Sequence, residues 1–397
     1  MIEKIAQFGK SDSGINREAF SDADDQAREY IIGLMRETGL VVRIDEIGNI
    51  IGRLDSDIDC PAVVTGSHLD TVPGGGKYDG VIGILGGLAA IKSLKDRKLT
   101  HPLELVIFAA EESSRFAFAT MGSKAMAGKA NLHAWRKAKD EHQVTFAQVL
   151  ELRNLNIESI PKAARSKDEI KAFVELHIEQ GSSLVSQGVS IGIVDVIAAP
   201  TRLKITVEGM ANHSGTTPME DRRDALVSAA MIILSIQEIG LEQSASGTVA
   251  TVGALKVHPG AMNVIPGLVE MWVDIRGVNH TSVIECLQDI KDAVSTVADG
   301  QDTAVSIEML SSEKPIVMDP MLIDVIESSC RAKGITYMKI NSGAGHDAMN
   351  ISYIAPSGMI FVPSQNGISH HYDEYAAVED ISTGIDVLTE TLYQLAK

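Results

Sequence analysis

Cysteine, basic charge and long apolar runs are all scarce in this sequence, and each shortage excludes something. Cys60, Cys286 and Cys330 are its three cysteines, an odd number, far apart and without a CxxC pair. Such usage argues against a disulfide framework and a structural zinc site, and predicts a reducing, cytoplasmic home. Lysine and arginine together number 35 against 53 acidic residues, for a net charge of −18. Binding to nucleic acid or an anionic membrane needs clustered cations. Neither partner is therefore expected, and the acidic excess reads as a solvated surface. No apolar run approaches the roughly 20 residues of a bilayer span. The longest, "VIGILGGLAAI" at 81–91, is glycine-rich and suits packing against a sheet. The opening "MIEKIAQFGKSDSG" has no apolar h-region, so no secretory leader is expected.

What is present reads as globular. A chain of 397 residues with 45% hydrophobic content exceeds what one core usually serves, which predicts two domains. "DDQAREYIIGLMRETG" carries apolar residues at helical spacing, with Ser21 as cap and Gly39 as stop. The short apolar runs "LVVRI", "NIIGRL", "PAVVTG" and "LELVIFAA" follow, with a helix expected over 80–97. Apolar strands separated by helices predict an α/β layer with a buried, largely parallel or mixed sheet. The more polar stretch 118–170 reads as a helical excursion. Between 200 and 312 the order changes to strand, helix, strand, strand, helix, strand, the split βαβ or ferredoxin-like unit. After Pro315 the α/β alternation returns, ending in an amphipathic helix from 377. The expectation is an α/β domain with a central mixed sheet flanked by helices, in two segments (1–199 and 313–397), into which an α+β domain (200–312) is inserted.

"GSHLDTVPGGGKYDG", residues 66–80, spends three consecutive glycines to keep one histidine near two aspartates. It is not a P-loop, because Lys77 is followed by Tyr78 and the first glycine is missing. His68 and Asp70 stand at the C-terminal end of an apolar strand, where open α/β sheets place their ligand crevice. A metal reading fits: His68 binds a divalent ion through one nitrogen, Asp70 accepts a hydrogen bond from the other, and the glycines fold Asp79 back to the same ion. In "FAAEESSRF", Glu111 and Glu112 end another buried strand, and neighbours on extended chain point opposite ways. One could ligate metal while the other serves as a general base. "ELHIEQG" adds His177, and "GISHHYDE" adds His370 and His371. Each segment alone also reads as structural. Jointly, a His₃/Asp/Glu set suits two divalent ions bridged by a carboxylate. The HExxH helix of single-zinc proteases is absent.

These segments, with "NHSGTTPMEDRRDA", "NVIPG", "DIRG", "SGAGHDAM" and "PSQNGISHHYDE", resemble the N-carbamoyl-L-amino-acid hydrolase and allantoate amidohydrolase family. That family lies within the wider dinuclear-zinc hydrolases that include aminoacylase and carboxypeptidase G. The resemblance runs in order from about 60 to 375. It implies a dinuclear-metal catalytic domain with an inserted lid or dimerisation domain, and a homodimer. It also implies that His68, Asp79 and His177 hold one ion, with Asp79 bridging to a second held by Glu112 and His370. By the same resemblance Glu111 is the general base and Asp70 orients His68. His213, Asn263 and Arg276 bind substrate from the inserted domain, Gln180 lines the same cavity, and His371 matches no role. The family's EEGxRF appears here as "EESSRF", a departure at Ser113.

The activity this implies is hydrolysis of a linear C–N bond in an N-carbamoyl amino acid, allantoate or a related ureido acid. An acylase or aminopeptidase-like peptidase is the competing reading, disfavoured because such enzymes usually carry a carboxylate where His177 stands. A non-catalytic metal scaffold is disfavoured because Glu111 is intact. By ligand type, Zn²⁺ or Mn²⁺ is expected, with Co²⁺ or Ni²⁺ possible. Arg202 hints at a polar substrate.

Overall fold

The computed structural model describes every residue except Asp57 and Asp59. The chain divides into two compact units. The first comprises Met1–Asp195, Val317–Ser342 and His346–Lys397; the second comprises Val196–Ile316 with Gly343–Gly345.

A nine-stranded mixed sheet forms the frame of the first unit. Its central run is Ile191–Ile197, Ser357–Val362, Ile170–Ile178, Ala62–His68, Leu103–Phe108, Ile50–Leu54 and Val41–Ile44. The four strands in the middle are parallel, and their flanking neighbours are antiparallel. Every residue of Ala62–His68, Leu103–Phe108 and Ser357–Val362 is buried, as expected for continuous apolar strands covered on both faces. The glycine-rich run forms the helix Val81–Leu94, which packs against this sheet and against the C-terminal helix Val378–Ala396. One of its glycines lets the helix backbone approach that of the sheet closely. A Cβ on Gly83 would lie 2.5 Å from the carbonyl oxygen of Leu176, inside any allowed contact. The helix Asp22–Thr38 starts at Ser21, whose hydroxyl accepts from the Asp24 N–H, and stops at Gly39, which is left-handed at φ 97°. The 118–170 excursion consists of short helices around Trp135 and Phe146, which share a satellite core with Phe20, Ile47 and Phe116.

In the second unit the strands Ala199–Glu208, Thr248–His258, Leu268–Gly277 and Ala304–Ser312 alternate with the helices Ala225–Gln243 and His280–Gly300 in the order βαββαβ. The strands form one antiparallel sheet whose spatial order, numbering them along the chain, is 2-3-1-4. That is the ferredoxin-like arrangement. Leu203, Ile205, Val207, Met271, Val273 and Ile275 point at the helices, while Arg202, Lys204, Asp274 and Arg276 occupy the opposite face. One expectation needs correction. The helix beginning at Ala225 is long and apolar enough, by length and composition, to cross a bilayer. The sequence reading missed it because its apolar stretch is interrupted by Ser, Gln and Glu. Here it lies across the sheet with Ala229, Ile232 and Ile236 inward, and leaves Val227, Met231, Leu234 and Leu241 exposed.

Candidate metal centre

The first unit assembles its polar cluster at one edge of the sheet. His68 ends the strand Ala62–His68, and His177 stands near the end of its parallel neighbour, Ile170–Ile178. Parallel pairing sends both chain ends to the same edge, the crevice side of an open α/β sheet. The glycine loop then returns against His68. Gly80 adopts φ +66°, and a Cβ there would lie 2.5 Å from the His68 carbonyl oxygen and 2.7 Å from its ring. Only glycine fits, and this close turn delivers Asp79.

Asp79 sits at the centre of the cluster. Its Oδ1 lies 3.0 Å from Nε2 of His177 and 3.6 Å from Nε2 of His68. Its Oδ2 lies 3.3 Å from Nε2 of His370, which is also 3.3 Å from Oε1 of Glu112. Two groups of possible ligand atoms share Asp79, His68–Asp79–His177 and Asp79–Glu112–His370, and a third among the described residues, Glu175–His177–His346, shares His177; in each, all atoms lie within 4.8 Å of one another. Glu111 belongs to none of them; its Oε2 is 3.9 Å from His68 Nε2. Nδ1 of His68 bonds the Asp70 carbonyl and Nδ1 of His177 the Ile178 carbonyl, both at 2.9 Å. Those contacts place a proton on Nδ1 of each ring and turn each Nε2 toward Asp79.

The charges compete. Burial pushes Glu112 up to about 7, with the Asp79 charge adding to it. Burial likewise holds Glu111 well above the usual carboxylate range, opposed by His68 and reinforced by Glu112. For Asp79, hydrogen bonds from His177, His370 and His68 outweigh burial and hold its carboxyl well below that range. The bond to Asp79 raises His370 to about 9.

Several predicted roles look different in three dimensions. The Asp70 carboxylate does not hold the His68 ring, since it lies 3.8 Å from Nδ1 and the Asp70 backbone carbonyl takes that bond. Its two oxygens instead accept the N–H groups of Glu111, at 3.2 Å, and Glu112, at 2.9 Å. Asp70 therefore fixes the turn that carries the glutamate pair. That turn lies beyond the strand, which ends at Phe108, and follows Ala110 at φ 50°. Strand alternation thus does not set the two directions. The Gln180 amide donates to Asp79 Oδ2 at 3.0 Å and to Ser369 Oγ at 3.2 Å, while its Oε1 is buried with no partner. The His371 ring packs tilted against that of Tyr372, and His371 belongs to neither group around Asp79.

His213, Asn263 and Arg276 lie in the second unit. The Ser214 N–H donates to the Asn263 carbonyl, and His213 pairs with Val264, so His213 and Asn263 share one small antiparallel ribbon. Nδ1 of His213 accepts the Gly215 N–H at 3.0 Å, which leaves Nε2 to carry the ring proton outward. Arg276 donates to both oxygens of Asp274, at 3.2 and 3.3 Å, and to the Gly343 carbonyl at 3.1 Å. Arg202 bonds the same Asp274 at 3.2 Å.

Sequence reasoning gave no role to Glu175, His346, Asp347 or Glu374. Glu175 is fully buried beneath His177, accepting from Ser67 Oγ at 2.8 Å and the Ala348 N–H at 3.0 Å. The His346 ring meets that of His177 edge-on at 4.5 Å. A signal existed. "ITYMKINSGAGHD" repeats the strand, glycine, histidine, aspartate order of the opening loop.

The donors fit a divalent ion on their own chemistry. They are imidazole nitrogens and carboxylate oxygens, gathered around one shared aspartate with an orphaned amide oxygen beside it. Such donors at the crevice edge of an α/β sheet suit the binding of a divalent ion. The chain belongs to Peptidase family M20/M25/M40, whose model matches residues 64–394. It is 37% identical over 401 residues to the N-carbamoyl-L-amino acid amidohydrolase of Geobacillus stearothermophilus, covering 100% of this chain and 97% of that one. To the allantoate amidohydrolase of Escherichia coli (strain K12) it is 34% identical over 396 residues, covering 99% and 96%. A crystal structure of an amidase of the hydantoinase/carbamoylase family from Burkholderia multivorans superposes with a TM-score of 0.88 at 35% identity, covering 100% of this chain and 96% of that one.

Proposed function

We propose that the protein hydrolyses a linear, non-peptide C–N bond in an N-carbamoyl amino acid, allantoate or a related ureido acid, using two divalent ions, Zn²⁺ or Mn²⁺. The observation that carries this reading is the position of Asp79, whose two oxygens face separate histidine sets. When bound, the ions would polarise the scissile carbonyl and acidify water. Among the chain's own residues, His68, Asp79 and His177 hold one ion, and Asp79, Glu112 and His370 the other. Glu111, beside the donors but in neither group, takes the proton from the attacking water and passes it to the leaving nitrogen. Arg276 offers a planar fork to the substrate carboxylate. It shares Asp274 with Arg202, so two cations face one anion and an incoming carboxylate is favoured.

His213 donates its Nε2–H to the oxyanion of the tetrahedral intermediate, acting in the partner subunit's site. A homodimer follows, with the second unit as lid and dimerisation domain. The exposed apolar side chains of Val227, Met231, Leu234 and Leu241 support it, since such a face calls for cover. Three unpaired cysteines accord with a cytoplasmic location.

The test is a substrate panel on metal-loaded protein, reading ammonia release from allantoate and N-carbamoyl amino acids, and free amino acid from N-acyl amino acids. Turnover of the first two classes over the third is expected. Preference for N-acyl substrates would overturn the assignment.

A further inference from the structure

Glu374 lies four residues beyond His370, and its side chain is almost fully buried, at 3% exposure. It makes no contact with either group of ligand atoms through its own oxygens. One oxygen, Oε1, accepts the backbone N–H groups of Tyr78, at 2.8 Å, and Asp79, at 3.1 Å. The other, Oε2, lies 3.1 Å from the hydroxyl of Ser369, the residue before His370. That hydroxyl is also 3.1 Å from Asp79 Oδ2 and receives the Gln180 amide. Thus one carboxylate joins the loop that presents Asp79 to the loop that presents His370, segments 295 residues apart in sequence. The Tyr78 and Tyr375 rings, meeting edge-on at 5.9 Å, close the same junction from outside.

The glycine loop is shaped to admit this carboxylate. A Cβ on Gly76 would lie 2.2 Å from Glu374 Oε1 and 2.3 Å from its Cδ, where no atom can stand. Gly76 has no positive φ among its reasons for being glycine; the space it leaves is the space Glu374 fills. A buried carboxylate is costly unless its oxygens are hydrogen-bonded. Here the acceptor positions are met by two backbone N–H groups and a hydroxyl, all belonging to the two donor-bearing loops.

We propose that Glu374 is a positioning residue that clasps these two loops and so sets the separation of Asp79 and His370 for the second ion. The inference rests on the two-ion reading above. Ligand geometry must hold to about half an ångström for tight binding, and neither loop is tied to the other by regular secondary structure at this point. The clasp supplies that tie without touching ion or substrate.

The experiment compares the wild type with Glu374→Ala and Glu374→Gln, starting from metal-free protein. Zn²⁺ affinity is read by chelator competition, stoichiometry by elemental analysis, and folding by thermal melting of the metal-free form. Glutamine keeps an acceptor for the Tyr78 and Asp79 N–H groups and a polar group toward Ser369. It is expected to retain two ions. Alanine should weaken one of the two ions by about 10–100-fold, the scale for removing a group that supports a metal ligand, and leave the other bound. Its kcat should recover with excess Zn²⁺ while KM stays unchanged, a pattern that general loss of stability would not produce. Should Glu374→Ala fail to fold, Gly76→Ala pushes the carboxylate from its seat without removing a group that bonds a ligand side chain, and a loss at the same ion is expected. Two ions held with wild-type affinity in Glu374→Ala, or in its substitute should Glu374→Ala not fold, would overturn the proposal while leaving the two-ion reading standing. A wild type that binds fewer than two ions would overturn both.

Discussion

Glu111 and Glu112 are adjacent and equally acidic, yet their surroundings separate them. Glu112 lies within hydrogen-bonding reach of His370 in a donor group, while Glu111 stands outside both groups. Glu111→Gln should therefore keep its metal content by elemental analysis and lose about two to four orders of magnitude in kcat, the range for general acid–base catalysis. Asp79→Ala, which removes the shared carboxylate, should lose both ions. Proton competition makes a further prediction. In the metal-free protein His370 titrates at about 9 and Glu112 at about 7, so below those values an ion must displace a proton to bind. Affinity should rise with pH between 6 and 9, by about tenfold per unit for each proton displaced. Calorimetric titrations across that range would check it, and a flat profile would contradict the assigned ligands. The sequence marked these residues as donors from their types and their places at strand ends. It could not show that the Asp70 carboxylate bonds two backbone N–H groups and not the His68 ring, because that depends on the turn created by Ala110 at φ 50°.

At the scale of elements, the helix Val81–Leu94 and the strand Ile170–Ile178 hold the centre together through contact between backbones. Gly83 faces the Leu176 carbonyl, one residue before His177, and a carbonyl in a buried sheet cannot move aside. Gly83→Ala should lower unfolding stability by about 1–3 kcal/mol, the usual cost of overpacking, and weaken metal binding with it. Denaturant midpoints and chelator competition would measure the two effects; a variant unchanged in both would mean the helix shifts freely. The elements themselves were legible. Apolar runs with β-branched residues marked the buried strands, and Ser21 and Gly39 marked the ends of the helix Asp22–Thr38. The helix Ala225–Gln243 was legible as a helix, but its exposed apolar side depends on which face the sheet takes.

For the molecule as a whole, the prediction concerns two chains. Subunit exchange between inactive His213→Ala and inactive Glu111→Gln dimers should restore activity in the heterodimer, where one site combines an intact Glu111 with an intact His213 from its neighbour. Exchange verified by mass spectrometry without recovered activity would confine His213 to its own chain. Leu234→Glu with Leu241→Glu should shift sedimentation toward monomer, since both side chains are more than 60% exposed on an apolar helix face. A dimer that persists with both charges in place would direct attention to another surface.

The sequence by itself determined the α/β alternation, the βαββαβ insertion and the residue types able to bind metal, because periodicity and strand-end position are local properties of a chain. Only the tertiary structure decided which nitrogen of each histidine faces Asp79, which of two glutamates joins a donor group, and that Glu374 reaches a loop 295 residues away. Those facts arise where distant segments meet. The repeat of an element dictates where its own side chains point, but it carries no information about the loop that folds back against it.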